Sequence, residues 1–252
     1  MNSLTKTEHL KFKRTFTKKL LLTAPLFFLA VALLQRCFMP SEYAHSWAMV
    51  LALLYNWWPV LFVPLGSALL ATLVTSQEKR AGGYRAVLIH PISPACVWVA
   101  KIAVLVYHML LTTLVLMGTT LAFGYITATG PVPWREILAG GLLLWIAALP
   151  QISIQLWAAQ AFGTFACIVL GVAGLVGGVV AAQTPYWVYL PWSWPTRLMC
   201  PLIGVHPNGT LLPPADPLRS PTAIPMGVGL AIACLVVTSL GSAVWFRGLD
   251  VR

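Results

Sequence analysis

Charge is what this chain has least of. Only 22 of its 252 residues are Asp, Glu, Lys or Arg, the sum of 16 basic and 6 acidic side chains. None of these four types occurs in 43–77, 102–134, 137–196 or 220–246. One helical crossing of a bilayer core takes about 20 apolar residues. Uncharged runs of this length, in a chain that is 59% hydrophobic, exclude a soluble globular domain. The function is exercised in or across a membrane.

Motifs for chemistry are as scarce. The sequence has no GxxxxGK[ST] phosphate loop, no HExxH and no GxSxG, so neither ATP binding by a phosphate loop nor hydrolysis is expected of the chain itself. All six acidic residues (Glu8, Glu42, Glu78, Glu136, Asp216 and Asp250) fall at the edges of the apolar runs or in loops. Ion-driven carriers and intramembrane hydrolases need ionisable groups at depth. His108 is the one candidate inside an apolar run, and a lone histidine on a helix reads as a hydrogen-bonded packing residue. The five cysteines are scattered without a CxxC pair, which argues against a disulfide framework or a metal site and for small packing residues. No catalytic, cofactor-binding or metal-binding residue is expected.

What is present has an order. The apolar runs hold six predicted spans, 20–38, 47–75, 97–127, 137–160, 164–183 and 223–246, leaving one all-α membrane domain over 1–252 with short connections. The net charge is +10. Six cations lie in the first 19 residues, and Lys79, Arg80, Arg85 and Lys101 surround the connection between the second and third spans. Arg247 and Arg252 close the chain, while the alternate loops carry only Arg36, Arg135, Arg197 and Arg219. Lys and Arg collect in cytoplasmic loops. Both termini are therefore expected in the cytoplasm, and the positive charge serves orientation and attraction to anionic headgroups rather than nucleic acid.

Local patterns refine this layout. Thr5-Lys6-Thr7-Glu8 fits a capping box, and 1–19 reads as an amphipathic helix on the cytoplasmic face. Pro59 and Pro64 should bend the second span. In the cytoplasmic segment 77–96, Tyr84, Val87, Leu88 and Pro91 follow one helical face, with Glu78, Lys79, Arg80 and Arg85 around it. This apolar edge either rests on lipid or fills a groove on a cytoplasmic partner. Gln151 and Gln155 share a face of the fourth span, as interhelical contacts or as contacts for a substrate. Gly171, Gly174 and Gly178 make a close-packing face on the fifth span, within the chain or against a second subunit. Only Ala161-Phe162-Gly163 separates these two spans, so they form a tight hairpin. The extracellular segment 184–222 has nine prolines and an aromatic start that includes Trp187, Trp192 and Trp194. It is too apolar for a free loop and predicts one or two short helices at the outer leaflet.

This order of parts resembles the permease subunits of type-2 ABC transporters, and most of all the bacterial lantibiotic-immunity permeases. The resemblance is carried by the basic start, the six spans, the Glu78-Lys79-Arg80 segment that ends at Pro91-Ile92-Ser93-Pro94, and Leu190-Pro191-Trp192-Ser193-Trp194-Pro195 before the last span. It implies a location in the bacterial cytoplasmic membrane. It further implies a second permease, alike or related, and two cytoplasmic ATPase subunits that bind ATP and Mg. Glu78, Lys79, Arg80, Tyr84, Arg85, Val87 and Leu88 would form the helix that couples to the ATPase. The outer aromatic segment, with Trp187, Trp192 and Trp194, would be suited to a membrane-active peptide cargo. Export of lipid or glycan by the same architecture, and sequestration of the peptide without an ATPase, are the alternatives.

Overall fold

Two prolines, Pro59 and Pro64, set the shape of the longest early helix. The computed structural model describes residues 2–11, 19–20, 23–38, 46–80 and 93–248. Ser46 caps helix α3 (Trp47–Trp57) by accepting from the Met49 N–H at 3.3 Å. Pro59 brings no N–H to the next turn, and the backbone widens into a π turn, Trp58–Phe62. The Val63 N–H donates five residues back, to the Trp58 carbonyl. Helix α4 (Val63–Arg80) then continues, and Lys79 and Arg80 in its last turn complement the helix dipole. The predicted bend is thus present as a π turn within a helical run of 34 residues, Trp47–Arg80. At 1.5 Å per residue that run is about 51 Å long, well beyond a hydrocarbon core of about 30 Å.

Helix α1 (Asn2–Lys11) packs against α5 (Pro94–Thr127). It spans Asn2–Lys11, so Thr5 lies within the helix and not at its start. The first predicted span, 20–38, appears as a turn of 3₁₀ helix, Ala24–Leu26, running into α2 (Phe27–Phe38). Lys19, Leu20 and Thr23 before that turn are also helical, and among the described residues the apolar helix here runs Ala24–Leu34. In α5, Thr112, Thr113, Thr120 and Thr127 each donate to the carbonyl four residues back, which satisfies their hydroxyls in an apolar setting.

Helix α6 (Trp134–Ala182) contains the expected hairpin. Gly163 has φ 89° and ψ −179°, a conformation essentially reserved for glycine. The thiol of Cys167 lies 3.4 Å from the Gln155 carbonyl. Twelve residues of straight helix would separate them by about 18 Å, so the arm after Gly163 runs back along the arm before it. Gly171 completes this return: a Cβ there would stand 2.9 Å from the Ala68 Cβ and 3.2 Å from the Pro64 carbonyl of α4. Among the described residues, four helical runs, Trp47–Arg80, Pro94–Thr127, Trp134–Ala182 and Ala223–Arg247, are long and apolar enough to cross a membrane.

The predicted short helices after 184 are a 3₁₀ turn, Pro185–Tyr189, helix α7 (Trp194–Ile203), which Gly204 ends in the left-handed region, and a second 3₁₀ turn, Pro217–Arg219. Helix α8 (Ala223–Arg247) closes the bundle. Among the described residues there is no strand, only the isolated bridges Ser46 to Thr129 and Val205 to Leu211. The core runs through the bundle, with Tyr55, Trp98, Phe123, Leu144, Ile152 and Leu156 fully buried.

Candidate coupling site and aromatic cap

Lys101 is the only charged residue between Arg85 and Arg135, and the fold buries it to 2% exposure. An ammonium so placed needs a carboxylate. Its Nζ lies 2.6 Å from Oε2 of Glu78, at the far end of α4. It also stands 5.1 Å from the Phe246 ring and 5.7 Å from the Trp98 ring, within cation–π range. Trp98 stacks on Phe246 at 4.6 Å and donates its indole N–H to Ser242 Oγ at 2.8 Å. Trp245 meets Trp98 at 6.4 Å and Trp157 at 6.3 Å. Trp157 in turn meets Phe162 beside the Gly163 turn, at 5.3 Å.

This cluster fastens the end of α4, the start of α5, the end of α8 and the hairpin turn of α6 into one block. The segment between Glu78 and Lys101 thus has both feet fixed in the same place. Sequence reasoning singled out Glu78 but not its partner. The signal for Lys101 was its isolation: a lone cation at the start of an apolar helix requires a counter-charge.

Glu78 is largely covered, whereas Lys79 and Arg80 are exposed at the end of α4. Tyr84, Arg85, Val87 and Leu88 lie outside the described residues. His108 is buried, with Nδ1 2.7 Å from the Val104 carbonyl and its ring stacked 5.2 Å from His9 of α1. That suits the packing role expected of it.

The opposite end is an aromatic cap. Trp187, Trp192 and Trp194 are 7%, 7% and 3% exposed, all packed inside their own chain. The Trp194 indole donates to the Trp187 carbonyl at 3.0 Å, and the Ser193 hydroxyl reaches the same carbonyl at 2.8 Å. Arg197 lies over the Trp187 ring at 5.6 Å and donates to the Leu218 carbonyl at 2.7 Å. Burial pushes the Cys200 thiol of α7 up to about 11. Exposed aromatic rings at this end include Tyr186 and Tyr189, 71% and 81% exposed, together with Tyr125 and Trp134.

The three tryptophans bury themselves because the glycine face receives one of them. Gly174 lies under the Trp192 indole, and a Cβ at Gly178 would stand 2.7 Å from the Trp192 carbonyl. Gly171 meets α4, so all three glycines pack within the chain. Gln151 and Gln155 are fully buried. Gln151 approaches the Pro191 carbonyl at 3.5 Å. The Gln155 amide bridges the Cys167 carbonyl and the Gly171 N–H, at 3.0 and 3.2 Å, tying the two arms of α6 together. Among the described residues no group of three or more His, Cys, Asp or Glu side chains is placed to hold a metal.

Residues 4–180 match the family described as ABC-2 family transporter protein. No curated protein and no solved structure matches the chain.

Proposed function

Because this chain belongs to the ABC-2 family of transporter proteins, we propose that it is the permease subunit of a bacterial exporter that clears a lantibiotic-like peptide from the cell's own membrane. Membership makes it the multi-pass membrane component of an ABC transporter, working with an ABC ATPase subunit. The finer parts of the proposal are these. The chain crosses the cytoplasmic membrane six times, with both termini in the cytoplasm. It pairs with a second permease, alike or related, and two ATPase subunits that bind ATP and Mg. The chain itself holds no cofactor.

The observation that carries the proposal is the buried Glu78–Lys101 pair. It roots the segment that would meet the ATPase in three helices at once. Glu78 anchors this segment, and Lys79, Arg80, Tyr84, Arg85, Val87 and Leu88 form the contact, with Tyr84, Val87 and Leu88 as its apolar edge. Closure of the ATPase pair pushes this edge, and the cluster around Lys101 passes the movement to α4, α5 and α8. The π turn at Trp58–Phe62 is the place where the long helix yields. Peptide cargo meets the exposed Tyr186 and Tyr189 at the headgroup level, above the buried Trp187, Trp192 and Trp194. Gln151 and Gln155 hold the bundle together beneath this cap, and Gly171, Gly174 and Gly178 let it pack.

The test is protection of a lantibiotic-sensitive bacterium carrying this chain and its ATPase. Protection should appear only when both are expressed, and should vanish when the phosphate-loop lysine of the ATPase is replaced. Equal protection by the permease chain alone would favour sequestration without transport.

A further inference from the structure

Beneath the aromatic cap two buried polar groups lack a partner, and they are of opposite kind. Gln151 is fully buried, and its Oε1 accepts from nothing among the described residues. Trp192 is 7% exposed, and its indole N–H donates to nothing among them. The two are neighbours, since the Gln151 Nε2 approaches the carbonyl of Pro191, the residue before Trp192. Their depth follows from the hairpin. Gln151 lies 12 residues before Gly163, and Gly174, under the Trp192 indole, lies 11 residues after it, about 18 and 17 Å along the two arms. The arm from Gly163 to Ala182 is about 29 Å long, close to the hydrocarbon thickness of about 30 Å. The pair therefore sits near the middle of the bilayer core, where an unpaired donor or acceptor is costly.

Opposite polarity narrows the ligand. A hydrocarbon chain satisfies neither group. A phosphate satisfies the donor and repels the acceptor. A sugar ring brings several hydroxyls, whereas this level offers one donor and one acceptor. The Gln155 amide, one turn below, is already taken by the Cys167 carbonyl and the Gly171 N–H. One residue of an extended peptide matches, because its N–H and C=O point to the same side. The Trp192 ring can turn to meet it. Trp194 and Ser193 are tied to the Trp187 carbonyl at 3.0 and 2.8 Å, while the Trp192 ring is held on the glycine face by packing alone. We propose that Gln151 and Trp192 bind the backbone of a peptide cargo midway through the membrane. The Gln151 Oε1 accepts from a cargo N–H, and the Trp192 indole donates to the C=O of the same cargo residue. This contact lies deeper than the meeting at Tyr186 and Tyr189 and reads backbone, not side chains. It rests on the peptide-export reading above.

The test uses the complete permease with its ATPase in phospholipid vesicles, with ATP and Mg present. The probe is acetyl-tetraleucine amide carrying a photoreactive leucine, set against the same peptide N-methylated at every leucine, which keeps each C=O and loses each leucine N–H. In the parental permease the unmethylated probe should label the fragments that contain Gln151 and Trp192 about tenfold more than the methylated one, the equivalent of 1.4 kcal/mol of binding. Gln151→Leu should erase that difference, because the acceptor is gone. Trp192→Phe keeps the ring but not its N–H. It should weaken labelling by both probes and leave the difference between them in place, and it serves as the test if Gln151→Leu assembles poorly. Equal labelling by the two probes in the parental permease, or labelling that neither variant alters, would overturn the proposal and leave the pair to a bridging water. Stronger labelling of the same fragments by a photoreactive alkyl glucoside, lost in Gln151→Leu, would overturn it in favour of a hydroxyl ligand. ATPase retention in the same preparations, and the protection assay, report separately on the exporter reading.

Discussion

Lys101 shows what a single side chain decides in an apolar bundle. Its ammonium is almost fully covered, and Glu78 is its carboxylate partner at 2.6 Å. Breaking a buried pair from one side leaves an uncompensated charge, at a cost of about 3–5 kcal/mol. Glu78→Gln and Lys101→Met should each lower the thermal midpoint of the purified protein in detergent. The double variant should recover much of the loss, because neither charge is then left alone. A coupling above about 1 kcal/mol is expected between two residues in contact. Additive losses in the two single variants would show that the pair contributes nothing as a pair. This contact was only half legible in the sequence. Glu78 stood out through its neighbours Lys79 and Arg80, but its partner sits 23 positions on, across a segment whose path the pattern of residues does not fix.

At the scale of elements, the lengths of the apolar runs carried most of the information. Hydrocarbon forbids charge and unpaired backbone, so the gaps between charges mark helices within a few residues. The expected hairpin was legible because only Ala161-Phe162-Gly163 separates two apolar arms, and Gly163 alone can supply the turn. Its backbone conformation costs other residues about 1–3 kcal/mol. Gly163→Ala should destabilise the protein by that order. Gly118→Ala in α5 meets nothing within 4 Å and should stabilise by about 0.5–1 kcal/mol, the ordinary helix preference for alanine. Thermal unfolding of the two variants side by side checks this, and the reverse ranking would contradict the turn. The π turn was less legible: prolines predict a bend, but whether it opens into a kink or a wider turn depends on the neighbours. The glycine face was clear as a face, yet its occupants, Trp192 and α4, come from other elements. The tryptophans of 184–194 read as a surface belt because period and composition cannot say which ring turns inward. Thr5 read as a helix start, whereas α1, held against α5, already includes Asn2.

For the whole molecule, the native cysteines test how the chain lies in the membrane. Cys37 ends the first apolar run and Cys96 begins α5, and both are exposed. An impermeant maleimide at pH 8 should label Cys37 on intact cells and Cys96 only after permeabilisation. Cys200 should resist in both cases. Burial covers its thiol and pushes it up to about 11, and the thiolate is the reactive form. It should label once the protein is denatured. Labelling of Cys96 on intact cells would invert the topology.

The central claim is that motion from a partner ATPase enters this permease through the segment rooted by Glu78 and Lys101. The direct measurement is cargo-stimulated ATP hydrolysis by the reconstituted complex carrying Tyr84→Ala with Leu88→Ala. The account predicts that stimulation is lost while the permease still inserts in the membrane. Stimulation at the parental level would contradict it.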